Sequence, residues 1–199
     1  MIKYFDIFAG IGGFRSGLEK AGGFECVGYC EIDRYAKKAY ETMYDTEGEV
    51  YYDDARKINP NELPDFDLIC GGFPCQSFSI AGKRGGFDDA RGTLFFEIAR
   101  IAAVKKPKYL LLENVPGLLS HDSGRTFATI LGSLDELGYD VAWQVLNSAN
   151  FRVAQSRKRV FIIGFLREKC AGKVLSFTDA NPKTLVQRIP GREGCRVYS

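Results

Sequence analysis

A cysteine stands at the end of a short apolar run in this sequence. Residues 67–75 read Asp-Leu-Ile-Cys-Gly-Gly-Phe-Pro-Cys, so Cys75 follows two glycines and a proline. A thiol at the end of a buried strand is held rigidly but remains reachable, as covalent catalysis requires. Only a small fraction of an unperturbed thiol is ionised at neutral pH, and Arg157 and Arg159 are candidates to activate it. The competing interpretation is a buried structural thiol.

A glycine-rich turn follows the first apolar run and includes Gly10 and Gly12. Arg15 occupies the third glycine position of the G-x-G-x-x-G pattern, which weakens any phosphate-binding interpretation. Glu31 ends the second apolar run, where a carboxylate can accept hydrogen bonds from ribose hydroxyls. A nucleoside ligand without phosphates fits better, which favours S-adenosylmethionine as cofactor. The alternative for Glu31 is a solvated acid at a helix start.

Glu113 ends another apolar run, so its carboxyl group is expected to be partly desolvated, which suits an acid that must lend a proton. The alternative is a carboxylate that caps the next turn. Asp53 and Asp54 follow a third short run.

Apolar runs and amphipathic segments alternate along the chain, which predicts an open α/β sheet, mostly parallel and Rossmann-like (doubly wound). The last two strands are close in sequence and predict an antiparallel C-terminal hairpin. The predicted strands are Lys3–Phe8, Phe24–Cys30, Val50–Tyr52, Asp67–Cys70, Tyr109–Leu112, Tyr139–Leu146 and Val160–Leu166. The predicted helices are Gly13–Ala21, Asp33–Tyr44, Thr93–Lys105 and Gly124–Leu137. In such sheets ligands bind outside the carboxyl ends of the strands, which places the polar residues above on one rim.

Composition limits the class of protein. The chain has 199 residues, 45% apolar and 26% charged, as expected for one globular domain. No apolar run approaches membrane-spanning length and the N-terminus lacks a signal pattern, so we expect a cytoplasmic protein without a membrane partner. The six cysteines and single histidine, His121, have no metal-ligand spacing, so we expect reduced thiols and no metal.

Charge is unevenly distributed along the chain. Residues 150–199 hold eleven Lys and Arg against three acids, whereas the whole chain has a net charge of only +2. A basic flank of this kind favours a nucleic-acid partner. A solvated basic tail is an equally good interpretation from charge alone.

Together these motifs resemble those of the DNA cytosine-5 methyltransferases. Residues 8–13 (Phe-Ala-Gly-Ile-Gly-Gly) resemble the family's cofactor loop, and 72–76 (Gly-Phe-Pro-Cys-Gln) resemble its nucleophile motif. Residues 113–115 (Glu-Asn-Val) and 155–159 (Gln-Ser-Arg-Lys-Arg) resemble its acid motif and its Q-x-R-x-R motif. The resemblance spans roughly residues 3–166 and implies the S-adenosylmethionine-dependent methyltransferase fold.

The resemblance implies a covalent mechanism on a cytosine flipped out of double-stranded DNA. Cys75 would add to carbon 6, Glu113 would act at ring nitrogen 3, Arg159 would hold the carbonyl, and Arg157 would support the site. The glycine-bearing loop 76–92 would close over the base.

The resemblance also implies a cofactor site. Phe8 and Ile32 would pack on the adenine, with weaker stacking because the family often has tryptophan at the position of Ile32. Glu31 would bind the ribose and Asp54 the adenine amino group. The cofactor residues assigned in this way are Phe8, Ala9, Gly10, Gly12, Gly13, Glu31, Ile32, Asp54, Phe73, Pro74 and Leu94.

The sequence departs from the family at its C-terminal end. We expect residues 1–168 to form an incomplete catalytic domain, and 169–199 to be a linker and the start of a missing target-recognition domain. A second polypeptide would then supply that domain and the missing cofactor motif. An inactive truncated remnant that acts as a nucleic-acid-binding or interaction module is the alternative. An RNA methyltransferase of the same family also stays open, whereas the broken glycine pattern disfavours an NAD-dependent oxidoreductase.

Overall fold

The computed structural model describes residues 1–74 and 94–169 and divides the chain into two compact units, Met1–Tyr109 and Leu110–Ser199. The strands are β1 (Ile2–Ile7), β2 (Phe24–Cys30), β3 (Val50–Tyr52), β4 (Leu68–Gly72), β5 (Tyr109–Asn114), β6 (Tyr139–Asn147) and β7 (Lys158–Leu166). The helices are α1 (Gly13–Ala21), α2 (Arg34–Met43), α3 (Leu94–Lys105) and α4 (Arg125–Glu136). Cys75, the loop 76–92 and the segment from Cys170 onward lie outside the described residues, so the predictions for them stay predictions.

The first unit contains four parallel strands in the order β3-β2-β1-β4. Their apolar residues are buried because a parallel sheet is covered on both faces; Phe5, Ile7 and Ile69 are fully buried. Since the strands are parallel, their carboxyl ends lie at the same edge of the sheet. The predicted α/β order is confirmed, with strand and helix ends shifted by one or two residues.

The helices α1 and α2 of the first unit begin in different ways. The α2 helix is capped by Asp33, whose carboxylate accepts the backbone N–H groups of Tyr35 and Ala36 at 2.8 Å each. The α1 helix begins after Gly12, which has φ of +87°. That left-handed conformation favours glycine and lets the chain turn sharply from β1 into α1.

The second unit contains β5, β7 and β6 in that order, and β6 and β7 pair antiparallel from Tyr139 opposite Leu166 to Asn147 opposite Lys158. The predicted C-terminal hairpin is therefore confirmed. In this unit β5 continues two residues beyond its predicted end, to Asn114, which is buried, and β7 begins two residues before its predicted start, at Lys158. Glu113 consequently lies within a strand rather than after it.

None of the helices in residues 1–74 and 94–169 combines the length and apolar character that crossing a membrane requires.

Candidate cofactor and active site

A cavity of about 480 Å³ opens at the carboxyl edge of the first unit. Each of the four strands contributes a wall residue just beyond its end: Phe8 follows β1, Glu31 follows β2, Asp54 follows β3 and Pro74 follows β4. The volume lies within the range of pockets that hold small molecules and cofactors. Six of the eleven predicted cofactor residues line it, namely Phe8, Glu31, Ile32, Asp54, Pro74 and Leu94. The structure therefore places the cavity where the strand-end rule puts a ligand.

Glu31 is held in this cavity by two backbone N–H groups. One carboxylate oxygen accepts the backbone N–H of Gly10 at 2.7 Å and the other accepts that of Asp33 at 2.7 Å. The Tyr51 hydroxyl donates to the backbone carbonyl of Glu31 at 3.0 Å. Each carboxylate oxygen has two lone pairs, so capacity to accept a ribose hydroxyl remains. The residue thus joins the glycine turn to the start of α2 while it faces the cavity.

The other five predicted cofactor residues, Ala9, Gly10, Gly12, Gly13 and Phe73, are not among the described residues that line the cavity. Ala9 is buried in an aromatic cluster and its N–H donates to the Cys30 carbonyl at 3.0 Å. Phe73 is 2% exposed and packs on Phe95 at 5.5 Å between ring centroids. Both side chains therefore point into the core, and Gly10 acts through its N–H bond to Glu31.

Asp54 is engaged by a cation that the sequence did not single out. Arg56 grips its carboxylate through Nε at 2.9 Å and Nη2 at 2.7 Å, and the backbone N–H of Arg56 donates to the same group at 3.0 Å. The Arg56 guanidinium lowers the pKa of Asp54 to about 2, so this carboxyl group stays ionised even in moderately acidic solution. An ionised, fixed acceptor is suited to an exocyclic amine.

Three cysteines of the first unit are free thiols, as predicted: Cys26, Cys30 and Cys70. Burial raises the pKa of Cys30, which lines the cavity, to about 12, and that of Cys26 to about 12 as well. Burial raises the pKa of Cys70 well above its ordinary value. A thiol that stays protonated is a poor nucleophile, so none of these three competes with Cys75 for the predicted catalytic role.

In the second unit, the structure pairs two residues with predicted catalytic roles. Arg159 Nε lies 2.6 Å from Glu113 Oε1, and both side chains are about one-fifth exposed (19% and 24%). A contact of this length is a charge-assisted hydrogen bond. Arg157 is exposed; its backbone N–H donates to Ser148 Oγ at 3.0 Å and its carbonyl accepts the Ser148 N–H at 3.1 Å. The backbone of the Gln155–Arg159 motif is thereby fixed to the end of β6.

The sequence matches the family described as C-5 cytosine-specific DNA methylase over residues 2–192, which is nearly the whole chain. The chain belongs to this family. The methylases of this family use S-adenosylmethionine, so the first unit's cavity is the place to test for that cofactor. Its volume, its buried Glu31 and its ionised Asp54 fit an uncharged ribose and an adenine amine.

Individual methylases are similar to this chain over most of its length. The type II methyltransferase M.NgoBI of Neisseria gonorrhoeae is 50% identical over 83% of this chain and 51% of its own length. M.HaeII of Haemophilus aegyptius is 50% identical over 82% of this chain and 50% of its own length. The chain therefore spans about half the length of these relatives.

A solved structure supports the fold. The DNMT2 mutant of Spodoptera frugiperda superposes with a TM-score of 0.67 over 83% of this chain and 50% of its own, at 22% identity. The predicted Rossmann-like α/β methyltransferase fold is therefore confirmed.

Five residues that line the cavity were not among the predicted cofactor residues: Cys30, Asp53, Ala55, Arg56 and Gly72. Cys30, Asp53 and Gly72 adjoin predicted residues, so widening each strand end by one position would have found them. Arg56 carried no motif signal; its role follows from the short 3-10 turn Ala55–Lys57, which folds it back onto Asp54. Ile32 lines the cavity and is 68% exposed.

Proposed function

We propose that this chain carries the catalytic machinery that transfers a methyl group from S-adenosylmethionine to carbon 5 of cytosine in double-stranded DNA. The observation that carries the proposal is the position of Pro74 on the cavity wall. Pro74 directly precedes Cys75 in the chain. The proposed nucleophile is thus one residue from the proposed methyl donor's cavity, as transfer to a neighbouring ring carbon requires.

The cavity side of the reaction rests on fixed acceptors. Bound S-adenosylmethionine would supply an electrophilic methyl group. Glu31 would accept ribose hydroxyls while its bonds to Gly10 and Asp33 hold it in place. Asp54, whose carboxylate is held by its contact with Arg56, would accept the adenine amino group. Phe8 and the exposed side chain of Ile32 would pack on the adenine faces.

The base side of the reaction rests on the Glu113–Arg159 pair. Ring nitrogen 3 and the carbonyl at carbon 2 are adjacent on the edge of cytosine, and two groups 2.6 Å apart can address adjacent atoms. Glu113 would share a proton with nitrogen 3 and so stabilise the negative charge that develops there, while Arg159 would donate to the carbonyl oxygen. Arg157 would support this pair through the backbone bonds of its segment.

Cys75 would make carbon 5 reactive. Its thiolate would form a bond to carbon 6, and the electron pair of the 5,6 double bond would become available at carbon 5. Carbon 5 then takes the methyl group. Loss of the carbon 5 proton to a base restores the double bond and expels the thiolate, so the enzyme is regenerated.

We further propose that a second polypeptide supplies target recognition. In this proposal the second polypeptide corresponds to the part of the methylases M.NgoBI and M.HaeII that the chain does not match. A cytoplasmic location of the assembly is part of the same proposal.

Adduct trapping tests the proposed chemistry. A duplex oligonucleotide with 5-fluorocytosine is incubated with the chain, its co-expressed partner and S-adenosylmethionine, because fluorine cannot leave as a proton does and the adduct persists. We expect a denaturation-resistant complex that the Cys75→Ser variant lacks and the Cys26→Ser control retains. No complex with any duplex would favour the inactive remnant, and a complex only with RNA would assign the other polymer.

A further inference from the structure

The arginine that interrupts the glycine pattern is held away from the cavity by the segment that follows α2. Arg15 is 5% exposed, and its guanidinium donates to Glu49 at 2.9 Å, to Glu19 at 2.8 Å and to the Asp45 carbonyl at 2.6 Å. Its charge is therefore neutralised within the first unit. It is not among the described residues that line the cavity.

Arg15 also stacks on the ring that contacts the glycine turn. Its guanidinium carbon lies 4.7 Å from the centroid of Tyr44 and 5.2 Å from that of Tyr40. Cation–π contacts of this kind are strongest when both partners are shielded from water. The Tyr44 hydroxyl donates to the Gly12 carbonyl at 2.9 Å. A Cβ atom at Gly12 would lie 2.3 Å from the Tyr44 ring, so only glycine lets the ring come this close.

We propose that Tyr44, braced by Arg15, is a positioning residue that fixes the glycine turn for cofactor binding. The turn is then held at two points. Tyr44 holds it at Gly12, and Glu31, a proposed ribose ligand, holds it at Gly10. Between these points the Gly12 N–H donates to the Ala9 carbonyl at 2.9 Å.

Close packing of helix against strand is the usual task of the third glycine in a dinucleotide fingerprint. In this chain the buried Arg15 instead contacts the rings of Tyr40 and Tyr44 and the segment that follows α2. The turn is consequently shaped by a tyrosine hydroxyl and a carboxylate, and no phosphate is required to order it. This inference rests on the proposed cofactor site and extends it to a residue outside the cavity.

Tyr44→Phe tests the proposal, with Tyr29→Phe as the matched control. Both substitutions remove one hydroxyl from the same aromatic cluster, and the Tyr29 hydroxyl donates to Glu41 at 2.7 Å instead of to the turn. Loss of one net hydrogen bond of about 1 kcal/mol predicts amide exchange about fivefold faster at Gly10 and Gly12 in Tyr44→Phe. We expect no change there in the control. NMR hydrogen exchange measures this without any cofactor.

Calorimetry with S-adenosylhomocysteine is the second measurement on the same proteins. We expect a dissociation constant roughly fivefold higher in Tyr44→Phe and unchanged in Tyr29→Phe. Equal exchange at the turn in both variants, or faster exchange without weaker binding, would overturn the positioning role. An absence of binding by the unsubstituted protein would instead refute the cofactor assignment, while exchange still decides whether Tyr44 holds the turn. Arg15→Lys, which keeps the charge, is expected to change exchange less than Arg15→Gln.

Discussion

A buried carboxyl group in β1, that of Asp6, is expected to destabilise the folded protein as pH rises. Asp6 is fully buried, and within residues 1–74 and 94–169 its carboxyl group has long contacts with the Tyr40 hydroxyl at 3.4 Å and the Cys70 thiol at 3.7 Å. Burial raises the pKa of Asp6 to about 8, against the opposing effect of these contacts and of the Arg15 charge. The group is therefore mostly protonated in the folded protein at pH 7 and ionised in the unfolded chain, whose aspartate pKa is about 3.9.

The sign and size of the effect follow from linkage. Because the folded pKa is raised, the stabilisation is complete below pH 4 and is lost as pH rises toward 8. The largest possible slope is about 1.4 kcal/mol per pH unit, which gives an upper limit of about 3 kcal/mol between pH 5 and 7. Asp6→Asn removes this titration with little change in shape. Between pH 5 and 7 we expect the free energy of unfolding of the original protein, minus that of Asp6→Asn, to fall by about 1–3 kcal/mol.

Urea unfolding at pH 5, 6 and 7, followed by far-UV circular dichroism, measures this difference. The single tryptophan, Trp143, lies in β6 of the second unit and is a poor reporter for β1. Asp65→Asn is the matched control because the Asp65 side chain is fully exposed. The difference in free energy of unfolding between the original protein and Asp65→Asn should stay constant above pH 5. If the free energy of unfolding of the original protein minus that of Asp6→Asn also stays constant, or rises with pH, then Asp6 does not have a raised pKa in the folded protein.

Two further predictions concern the first unit. Gly71→Ala should lower the free energy of unfolding by about 3 kcal/mol or more, because its Cβ would lie 2.0 Å from the Ile7 carbonyl oxygen. Exposed Gly17 in α1 has nothing within 4 Å of a Cβ, so Gly17→Ala should raise that energy by about 0.5–1 kcal/mol; equal effects in urea unfolding would contradict both. Arg56→Ala should raise the pKa of Asp54 from about 2 toward its ordinary value, and an unchanged carbon-13 carboxyl titration would show that Arg56 is not the cause.

The strand ends were predictable because local pattern controls them. Phe24–Cys30 and Val50–Tyr52 were predicted to the residue, since a run of apolar residues bounded by polar ones defines a parallel strand in sequence. The strand-end rule predicts from sequence alone that Glu31 and Asp54 lie at one rim of the sheet, and in the structure both residues line one cavity.

The side-chain directions were not predictable because they depend on contacts made far along the chain. Phe73 adjoins the nucleophile motif, yet it turns inward to pack on Phe95. Arg15 could be read only as a break in the glycine pattern, because its partners Asp45 and Glu49 are about thirty residues away. Burial of polar groups through such long-range bonds leaves no periodic signal in the sequence.

We propose above that the cavity of the first unit binds S-adenosylmethionine through Glu31. Calorimetric titration of the chain with this cofactor and its demethylated product tests it directly. We expect one site per chain, and a dissociation constant at least about thirtyfold higher in Glu31→Ala, because a charged acceptor contributes about 2 kcal/mol or more. Glu25 is an exposed acid in β2, the strand that Glu31 follows, and Glu25→Ala should bind as the original protein does. No binding, or equal binding by Glu31→Ala, would contradict the account.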